Sequence, residues 1–564
     1  MMERMTRSRP RRYFPAVIVL MMVLGLCASG ASLGCGGDPV VVLPDAGLQA
    51  AIREALNKPQ GDIYASELAW LKELDAAHRG IQDLSGLEYC TNLEAVGLWD
   101  NQISGLSPLA SLTKLRGLTL AQNQISDLSP LAGLTKLTQL SLAANQITDI
   151  SPLASLTSLT WLGLEFNQIN DISPLANLTS LTSLSLYGND ISNIFPLINL
   201  TNLTWLSLLQ NRISNVSPLA NLTKLTTLSI SKNQISDISP LANLTSLEGL
   251  GLGDNQISDI SSLANLTSLT SLSVWKNQIN DISPLVNLTK LKTLSLEDNQ
   301  ISDISPLATS TDLTTVWLDA NQISSLSPLT GLTSLTELGL AGNEISDISP
   351  LANLTGLIEL NLTYNQISDI SPLANLTGLT GLGISGHQIS DISLVVDLTT
   401  LTWLSVPGSQ ITDISLVANL TSLTELNLGN NQIGNISPLA NLTSLRGLNL
   451  TGNQIADISA LSDLTDLRVI LLDNNNISDV SPLSGLARIG EVEVDGPSLD
   501  QREEIAISLG LRDNQITNIE ALAGNLGLSA GDGIDLRGNP LSAESLSTYL
   551  PQLEERRVNV LYDT

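Results

Sequence analysis

The sequence predicts an α/β solenoid, a stack of short coils whose strands form one parallel sheet on the concave side. Three observations predict it: a period of 22 residues, an alternation of leucine with polar residues inside each period, and a biased composition. The chain of 564 residues is 43% hydrophobic but only 3% aromatic. So high an apolar content is not typical of disorder, and the dominance of Leu, Ile, Asn, Ser and Thr indicates a repeated template.

One asparagine shows the period most directly. It recurs every 22 residues from Asn101 to Asn475 and fills 16 of 18 slots, and His387 and Ser409 occupy the other two. The segment 112–133, L-T-K-L-R-G-L-T-L-A-Q-N-Q-I-S-D-L-S-P-L-A-G, represents the unit. Its pattern L-x-x-L-x-L-x-x-N-x-I is the leucine-rich repeat signature.

Each part of the unit has its own structural prediction. Leu118 to Leu120 alternates apolar and polar residues, the period of a strand with one buried face. Asn123 turns the chain inward, where its amide can satisfy buried backbone groups. Ser129-Pro130 interrupts any regular helix and predicts 3₁₀ turns or extended chain on the convex side. Stacked coils then bury one continuous core, in a right-handed superhelix.

Four regions follow along the chain. Residues 1–34 are predicted to be a signal peptide, 35–92 a short linker with an N-terminal cap, 93–485 about eighteen repeats, and 486–564 degenerate repeats with a C-terminal cap. Solenoids need caps because a bare end exposes leucines. Helical patterns at Asp45–Leu56 and Ser542–Leu553 are expected to belong to the two caps.

The N-terminus has the features of an export signal. Five arginines precede an apolar run at 16–26, which small residues follow. The tetrad S-L-G-C at 32–35 resembles a bacterial lipobox, which implies that Cys35 carries lipid and anchors the protein. Ser32 stands where leucine is usual, so cleavage by an ordinary signal peptidase is the alternative. R-R-Y-F at 11–14 resembles a twin-arginine signal, which leaves the export route open between that pathway and the general one.

The repeat N-I/V-S-P-L-A-N-L-T and a cap ending in G-L-E-Y-C-T-N-L resemble the internalin-type bacterial leucine-rich repeat proteins over about 40–564. The resemblance implies that the concave sheet face binds a partner, commonly a host surface protein. The C-terminal R-V-N-V-L-Y-D-T has no L-P-x-T-G sorting motif, so attachment by sortase is not expected.

The aromatic residues of the repeats are not spread evenly. In L-x-x-L-x-L-x-x-N the third, fifth and seventh side chains point out of the concave face and the eighth lies at its rim. Nine of the ten aromatic residues between 93 and 475 occupy these positions, and Phe195 is the exception. The bias reflects either the preference of strands for aromatic residues or anchors for a partner. The predicted binding face consists of Trp99, Trp161, Phe166, Tyr187, Trp205, Leu209, Trp275, Glu297, Trp317, Asp319, Glu337, Glu359, Tyr364 and Trp403.

Two groups stand out on this face. The first is a predicted apolar groove, where Trp161 and Trp205 share a column with Ser183 between them and Phe166, Tyr187 and Leu209 are close by.

The second predicted group joins Trp275 and Trp317 to Glu297 and Asp319. Glu337 and Glu359 are adjacent in one column, where like charges cost stability. A basic partner would relieve that cost, and two solvated carboxylates are the alternative.

The sequence favours a binding protein over an enzyme. His78 in the cap and His387 in the asparagine column are interpreted as structural, and no catalytic, phosphate-binding or metal-binding motif is found. With only Cys27, Cys35 and Cys90, neither a disulfide framework nor a Cys/His zinc site is expected. No cofactor and no metal are predicted.

The expected partner is a protein of unknown identity. A glycan is the alternative, because Trp and Tyr also stack on sugar rings, and a purely structural surface role is a third possibility. The net charge of −29 argues against binding nucleic acid or anionic lipid. Contact with a membrane is therefore predicted only through lipid on Cys35. The many N-L-T triplets match glycosylation sequons but are interpreted as part of the repeat.

Overall fold

A 22-stranded parallel sheet runs through the described chain, which is residues 38–385, 389–491 and 507–563 of a computed structural model. Every strand is hydrogen-bonded in parallel to the next one along the chain. This confirms the predicted solenoid with a parallel sheet on its concave face. The signal predicted at 1–34, Cys35 and His387 lie outside the described residues.

The strands are short and regularly spaced. They are β1 (Glu73–Asp75), β2 (Ala95–Gly97), β3 (Gly117–Thr119), β4 (Gln139–Ser141), β5 (Trp161–Gly163), β6 (Ser183–Ser185), β7 (Trp205–Ser207), β8 (Thr227–Ser229), β9 (Gly249–Gly251), β10 (Ser271–Ser273), β11 (Thr293–Ser295), β12 (Thr315–Trp317), β13 (Glu337–Gly339), β14 (Glu359–Leu362), β15 (Gly381–Ile384), β16 (Trp403–Ser405), β17 (Glu425–Asn427), β18 (Gly447–Asn449), β19 (Val469–Leu471), β20 (Ile507–Gly510), β21 (Gly533–Asp535) and β22 (Asn559–Leu561).

The convex side consists of short 3₁₀ helices, as the Ser-Pro pairs predict. In most of them Pro occupies one of the first two positions, where its fixed φ suits the turn and its missing N–H costs no bond. They are Leu87–Tyr89, Ser107–Leu109, Ser129–Leu131, Ser151–Ser155, Ser173–Asn177, Phe195–Leu197, Ser217–Leu219, Ser239–Asn243, Ser261–Asn265, Ser283–Asn287, Ser305–Thr309, Ser327–Leu329, Ser349–Leu351, Ser371–Asn375, Ser393–Asp397, Ser415–Asn419, Ser437–Asn441, Ser459–Leu461 and Ser481–Leu483.

A repeat-template aspartate starts most of these turns. The carboxylate of Asp149 accepts hydrogen bonds from the backbone N–H of Ser151 at 2.8 Å and from its hydroxyl at 2.9 Å. Asp171 makes the same two contacts to Ser173. These aspartates are turn residues, as their place in the template predicts.

The asparagine column joins successive coils through buried hydrogen bonds. The side-chain carbonyl of Asn145 accepts from the N–H of Ile125 in the preceding coil at 2.9 Å. Its amide donates to the carbonyls of Leu120, Leu142 and Ala143 at 3.0–3.2 Å. The Leu120 carbonyl also accepts from Asn123, so two coils share it. Backbone groups that would otherwise be buried without a partner are thereby satisfied, as predicted.

The column changes at Ser409. The hydroxyl of this buried serine donates to the Pro407 carbonyl at 3.4 Å, a long contact compared with the set of bonds that an asparagine makes. Pro407 has no backbone N–H, yet it removes no donor from the strand ladder. Pro407 follows strand β16, and the ladder bonds there come from Val406 to Asn427 at 2.7 Å and from Gly408 to Gly429 at 2.9 Å. The seventh position contributes no N–H to this ladder, so proline fits there without loss.

We expect local opening to concentrate near residues 380–415, because Ser409 and His387 lack the paired donor and acceptor of an asparagine amide. Native-state hydrogen exchange measures this. Amides in 380–415 should exchange faster than those in 220–300, where the asparagine column is continuous. Equal protection of the two segments would contradict the prediction.

Short helices pack at both ends of the sheet. At the N-terminal end, helix α1 (Ala46–Ala55) starts at Asp45, whose carboxylate accepts from the N–H of Leu48 at 3.0 Å, and a short α2 (Ala65–Leu68) follows. Cys90 is fully buried here, and burial raises the pKa of its thiol to about 12, which makes it unreactive.

At the C-terminal end, α3 (Glu520–Gly524) precedes β21. The helix expected over 542–553 is divided into a π-helical segment, Ser545–Tyr549, and α4 (Leu550–Glu555). Strand β22 then pairs with β21 and is the last strand of the sheet.

Candidate binding surface

The side chains predicted for the concave face alternate with the core, as the strand period requires. In β7, Leu206 is fully buried whereas Trp205 is 37% exposed. Each of the fourteen predicted side chains is at least partly exposed. Small residues between them are covered by their neighbours, as Ser207 shows with 7% exposure. The face is therefore crowded, and large side chains on it lie over smaller residues.

The side chains of the predicted groove cluster on strands β5–β7 and the turns that follow them. Trp161 and Trp205 are both in register with Ser183, which places them two strands apart, about 9.6 Å. The rings of Phe166 and Tyr187 pack at 4.5 Å between centroids with an interplanar angle of 58°. We call this cluster the aromatic patch; it consists of Trp161, Phe166, Tyr187, Trp205 and Leu209.

The aromatic patch also contains a carboxylate that the sequence analysis missed. The Trp161 ring lies over Gly163, and the Glu165 carboxylate approaches the same glycine. Burial raises the pKa of Glu165, and a hydrogen bond with Ser185 opposes that rise. Its seventh position in the repeat was the signal that could have identified it.

A second site lies on strands β11–β16. It is a cavity of about 270 Å³. We call it the acidic pocket and define it by six predicted residues: Glu297, Trp317, Asp319, Glu337, Glu359 and Trp403. Asn361, which the sequence analysis did not select, also lines it. The fold thus joins Trp317, Glu297 and Asp319 of the predicted second group to the predicted glutamate pair.

Two glycines leave room for the indole rings of this pocket and so determine the direction in which each ring points. Trp317 on β12 leans over Gly339 of β13, and Trp403 on β16 leans over Gly381 of β15. A Cβ atom at Gly381 would collide with Nε1 of Trp403. Both rings are therefore directed toward β14, the strand between them, which carries Glu359.

Three predicted aromatic residues lie outside both sites. The expectation that Trp275 joins Trp317 is wrong, because Trp275 lies against Gly253 of the preceding coil and does not line the pocket. Trp99 packs against the cap, with its ring 3.8 Å from that of His78 in an edge-on arrangement. Tyr364 is 69% exposed at the rim.

Burial shapes the electrostatics of the acidic pocket. It raises the pKa of Asp319 from 3.8 to about 6, although the N–H of Ala341 donates to this carboxylate at 2.7 Å. Burial also raises the pKa of Glu297, whose carboxylate accepts from the Ser295 hydroxyl. Because the folded pKa of Asp319 exceeds the unfolded value, this group lowers folding stability as the pH rises from about 4 through 6. Keeping the Asp319 carboxylate charged in the folded protein therefore costs folding free energy.

Metal binding is not indicated by these carboxylates. Within the described ranges, no group of three or more His, Cys, Asp or Glu side chains is arranged to hold a metal ion. His78 in the N-terminal cap pairs with Asp100, Nδ1 to Oδ2 at 2.5 Å, and both side chains are about half exposed. The arrangement of Trp rings and carboxylates suits contact with a partner.

The family comparison agrees with this geometry. The model for Leucine Rich repeats (2 copies) matches eleven segments between 113 and 485: 113–155, 157–199, 201–243, 245–287, 267–309, 289–331, 311–353, 333–375, 355–396, 399–441 and 443–485. The chain belongs to the leucine-rich repeat family. No curated protein matches this leucine-rich repeat chain significantly over its sequence.

Solved leucine-rich repeat structures resemble the chain over much of its length. An internalin from Listeria monocytogenes is 41% identical and covers 60% of this chain and 94% of its own, with a TM-score of 0.53. The functional domain of InlJ from the same species is 24% identical, with coverage of 69% and 79% and a TM-score of 0.53. The ectodomain of the Arabidopsis receptor kinase HAESA is 20% identical, with coverage of 86% and 85% and a TM-score of 0.59.

These comparisons confirm the resemblance to internalin-type bacterial leucine-rich repeat proteins. The first structure supports it in sequence as well as fold, whereas the other two show the fold alone. Proteins of this class typically mediate protein binding.

Proposed function

We propose that the chain is an exported, cell-surface leucine-rich repeat protein that binds a protein partner through its concave sheet face. The observation that carries this proposal is the placement of the aromatic side chains. Nine of the ten in the repeats belong to the columns of that face, and none of the nine is buried. Exposed rings on a preformed surface are good anchors, because ordering them on binding costs little entropy.

The rigidity of the scaffold supports the proposal. From β5 to β14 each coil is fixed to the next by strand pairing and by the asparagine column, so the aromatic patch holds its spacing before a partner arrives. Preformed anchors are the usual route to affinity without a large conformational change.

The experiment is capture of partners from envelope and host-cell extracts, with a glycan array in parallel. A captured protein is then purified and cross-linked to the chain. Cross-links on the strand columns of the concave face support the proposal. Cross-links confined to the 3₁₀ side contradict it, and so does glycan binding with no protein partner, which favours the envelope-polysaccharide alternative.

Localisation is part of the same proposal. Residues 1–34 act as the export signal, and lipid on Cys35 holds the protein at the membrane, on the sequence pattern given above. Within the described ranges, no helix combines the length and hydropathy needed to cross a bilayer. The internalin likeness supports a bacterial surface or secreted protein.

Replacing Cys35 with Ser is expected to release the protein from the membrane fraction, because the thiol is the proposed site of acylation. Fractionation and metabolic labelling with a fatty acid measure this. Cys90→Ser is the matched control, since that buried thiol should carry no lipid. Unchanged membrane association together with undiminished acyl label in Cys35→Ser would show that the anchor lies elsewhere.

A further inference from the structure

We propose that the acidic pocket binds a lysine or arginine side chain from a basic segment of the protein partner. This inference rests on the proposed function and deepens it, since it names the chemistry of the partner at one place on the concave face. Neither the family match nor the similar structures assign a ligand to these residues.

Charge is the first argument. Four of the six residues that define the pocket are carboxylates, and two of them, Glu337 and Glu359, are direct register neighbours on β13 and β14. Adjacent like charges repel, and a bound cation converts that repulsion into attraction. The chain as a whole carries −29, so a basic partner is also drawn toward it from a distance.

The aromatic walls are the second and independent argument. Trp317 and Trp403 approach the pocket from opposite ends of a five-strand stretch and lean toward each other over glycines. A cation held against an indole face gains from the ring quadrupole, most strongly when it is desolvated. Carboxylates alone would suit a hydrated ion. Carboxylates combined with two indoles suit an organic cation that has an apolar stem, such as Lys or Arg.

Size gives a third argument. The cavity of about 270 Å³ lies just below the ~300–1,000 Å³ range of small-molecule pockets. The cavity is suited to one long side chain and its head group.

The raised pKa of Asp319 agrees with a bound cation, because the positive charge would stabilise the carboxylate that burial disfavours.

The test measures binding of a fluorescein-labelled hexa-arginine peptide to the full chain by anisotropy, at roughly 0.15 M ionic strength. Glu337→Gln/Glu359→Gln should weaken binding by about tenfold. Glutamine is tolerated at this position of the repeat, since Gln139 occupies it on β4. Trp317→Ser/Trp403→Ser should weaken binding by about fivefold. Circular dichroism and thermal melting check that each variant is folded.

The matched control removes two charges outside the pocket. Asp281→Asn/Asp303→Asn changes the net charge by the same amount, and Asn215 and Asn435 show that asparagine makes the same turn contact, at 2.9 and 3.0 Å. This control should change affinity by less than about twofold.

The outcomes separate pocket binding from general attraction. Equal losses in the control and in the glutamate pair would mean that the peptide responds only to net charge, which overturns the proposal. Unchanged binding in either pocket pair overturns it as well. A failure here leaves the proposed function intact, because that function is tested by partner capture and by Trp161 and Trp205, which lie outside the pocket.

Discussion

Replacing Trp161 and Trp205 together with serine is expected to weaken binding of the captured protein partner by about 2 kcal/mol or more, roughly thirtyfold in Kd. The reason is loss of two anchors that share one column of the concave face. Isothermal titration calorimetry with the purified partner measures the change. Normal affinity in a folded double variant would place the main anchor elsewhere on the face.

The fold should tolerate this change. Leu203, Leu206 and Leu208 carry the core of the coil and are fully buried, whereas Trp205 is 37% exposed. Serine already occupies the same column at Ser183, directly between the two tryptophans. Unfolding of the double variant would show instead that the tryptophans are structural.

Phe195 provides the matched control. It is 63% exposed but starts a 3₁₀ helix, Phe195–Leu197, away from the strand columns. Neighbouring coils have Ser173 and Ser217 at the same place, so Phe195→Ser follows the repeat. Its affinity for the partner should equal that of the wild-type chain. An equal loss in this control would count against the concave face as the binding surface.

Replacing Asn145 with alanine is expected to lower the free energy of unfolding by about 3 kcal/mol. The N–H of Ile125 loses its acceptor inside the core, and three carbonyls each lose a donor. A buried group left without a partner costs far more than an exposed one. Urea denaturation measures the change, and hydrogen exchange of β3–β5 shows whether opening is local.

Gln146→Ala is the control for this prediction. Gln146 is the next residue, its side chain is exposed, and its backbone N–H bonds to the Ile125 carbonyl whatever the side chain is. The substitution should change stability by less than about 0.5 kcal/mol. Similar stability of the two variants would mean that the asparagine column contributes little.

The fold could be predicted almost completely from the sequence, because a period of 22 residues leaves few alternatives. Asn123 and its equivalents mark where each coil turns, and the alternation at Leu118–Leu120 sets which side chains are buried. Parallel register then follows, since each strand pairs with an identical part of the next coil.

The candidate sites could be predicted only in part, because the pattern gives the face of a side chain but not its direction along that face. Trp275 and Trp317 were expected together, yet one leans toward the preceding coil and the other toward the following one. The glycines against which the indole rings pack determine these directions. Gly253 and Gly339 could therefore have indicated them from the sequence. The burial of Asp319 is different, because it depends on packing across several strands.

The asparagine column also has a mechanical consequence. Coils are linked in series, most of them by one short strand and one asparagine amide, so a force that separates the two ends is carried by every junction. A coil that detaches converts a rise of about 4.8 Å into as much as about 75 Å of extended chain. Under tension between its two ends, the solenoid is therefore expected to lengthen stepwise, by one coil at a time.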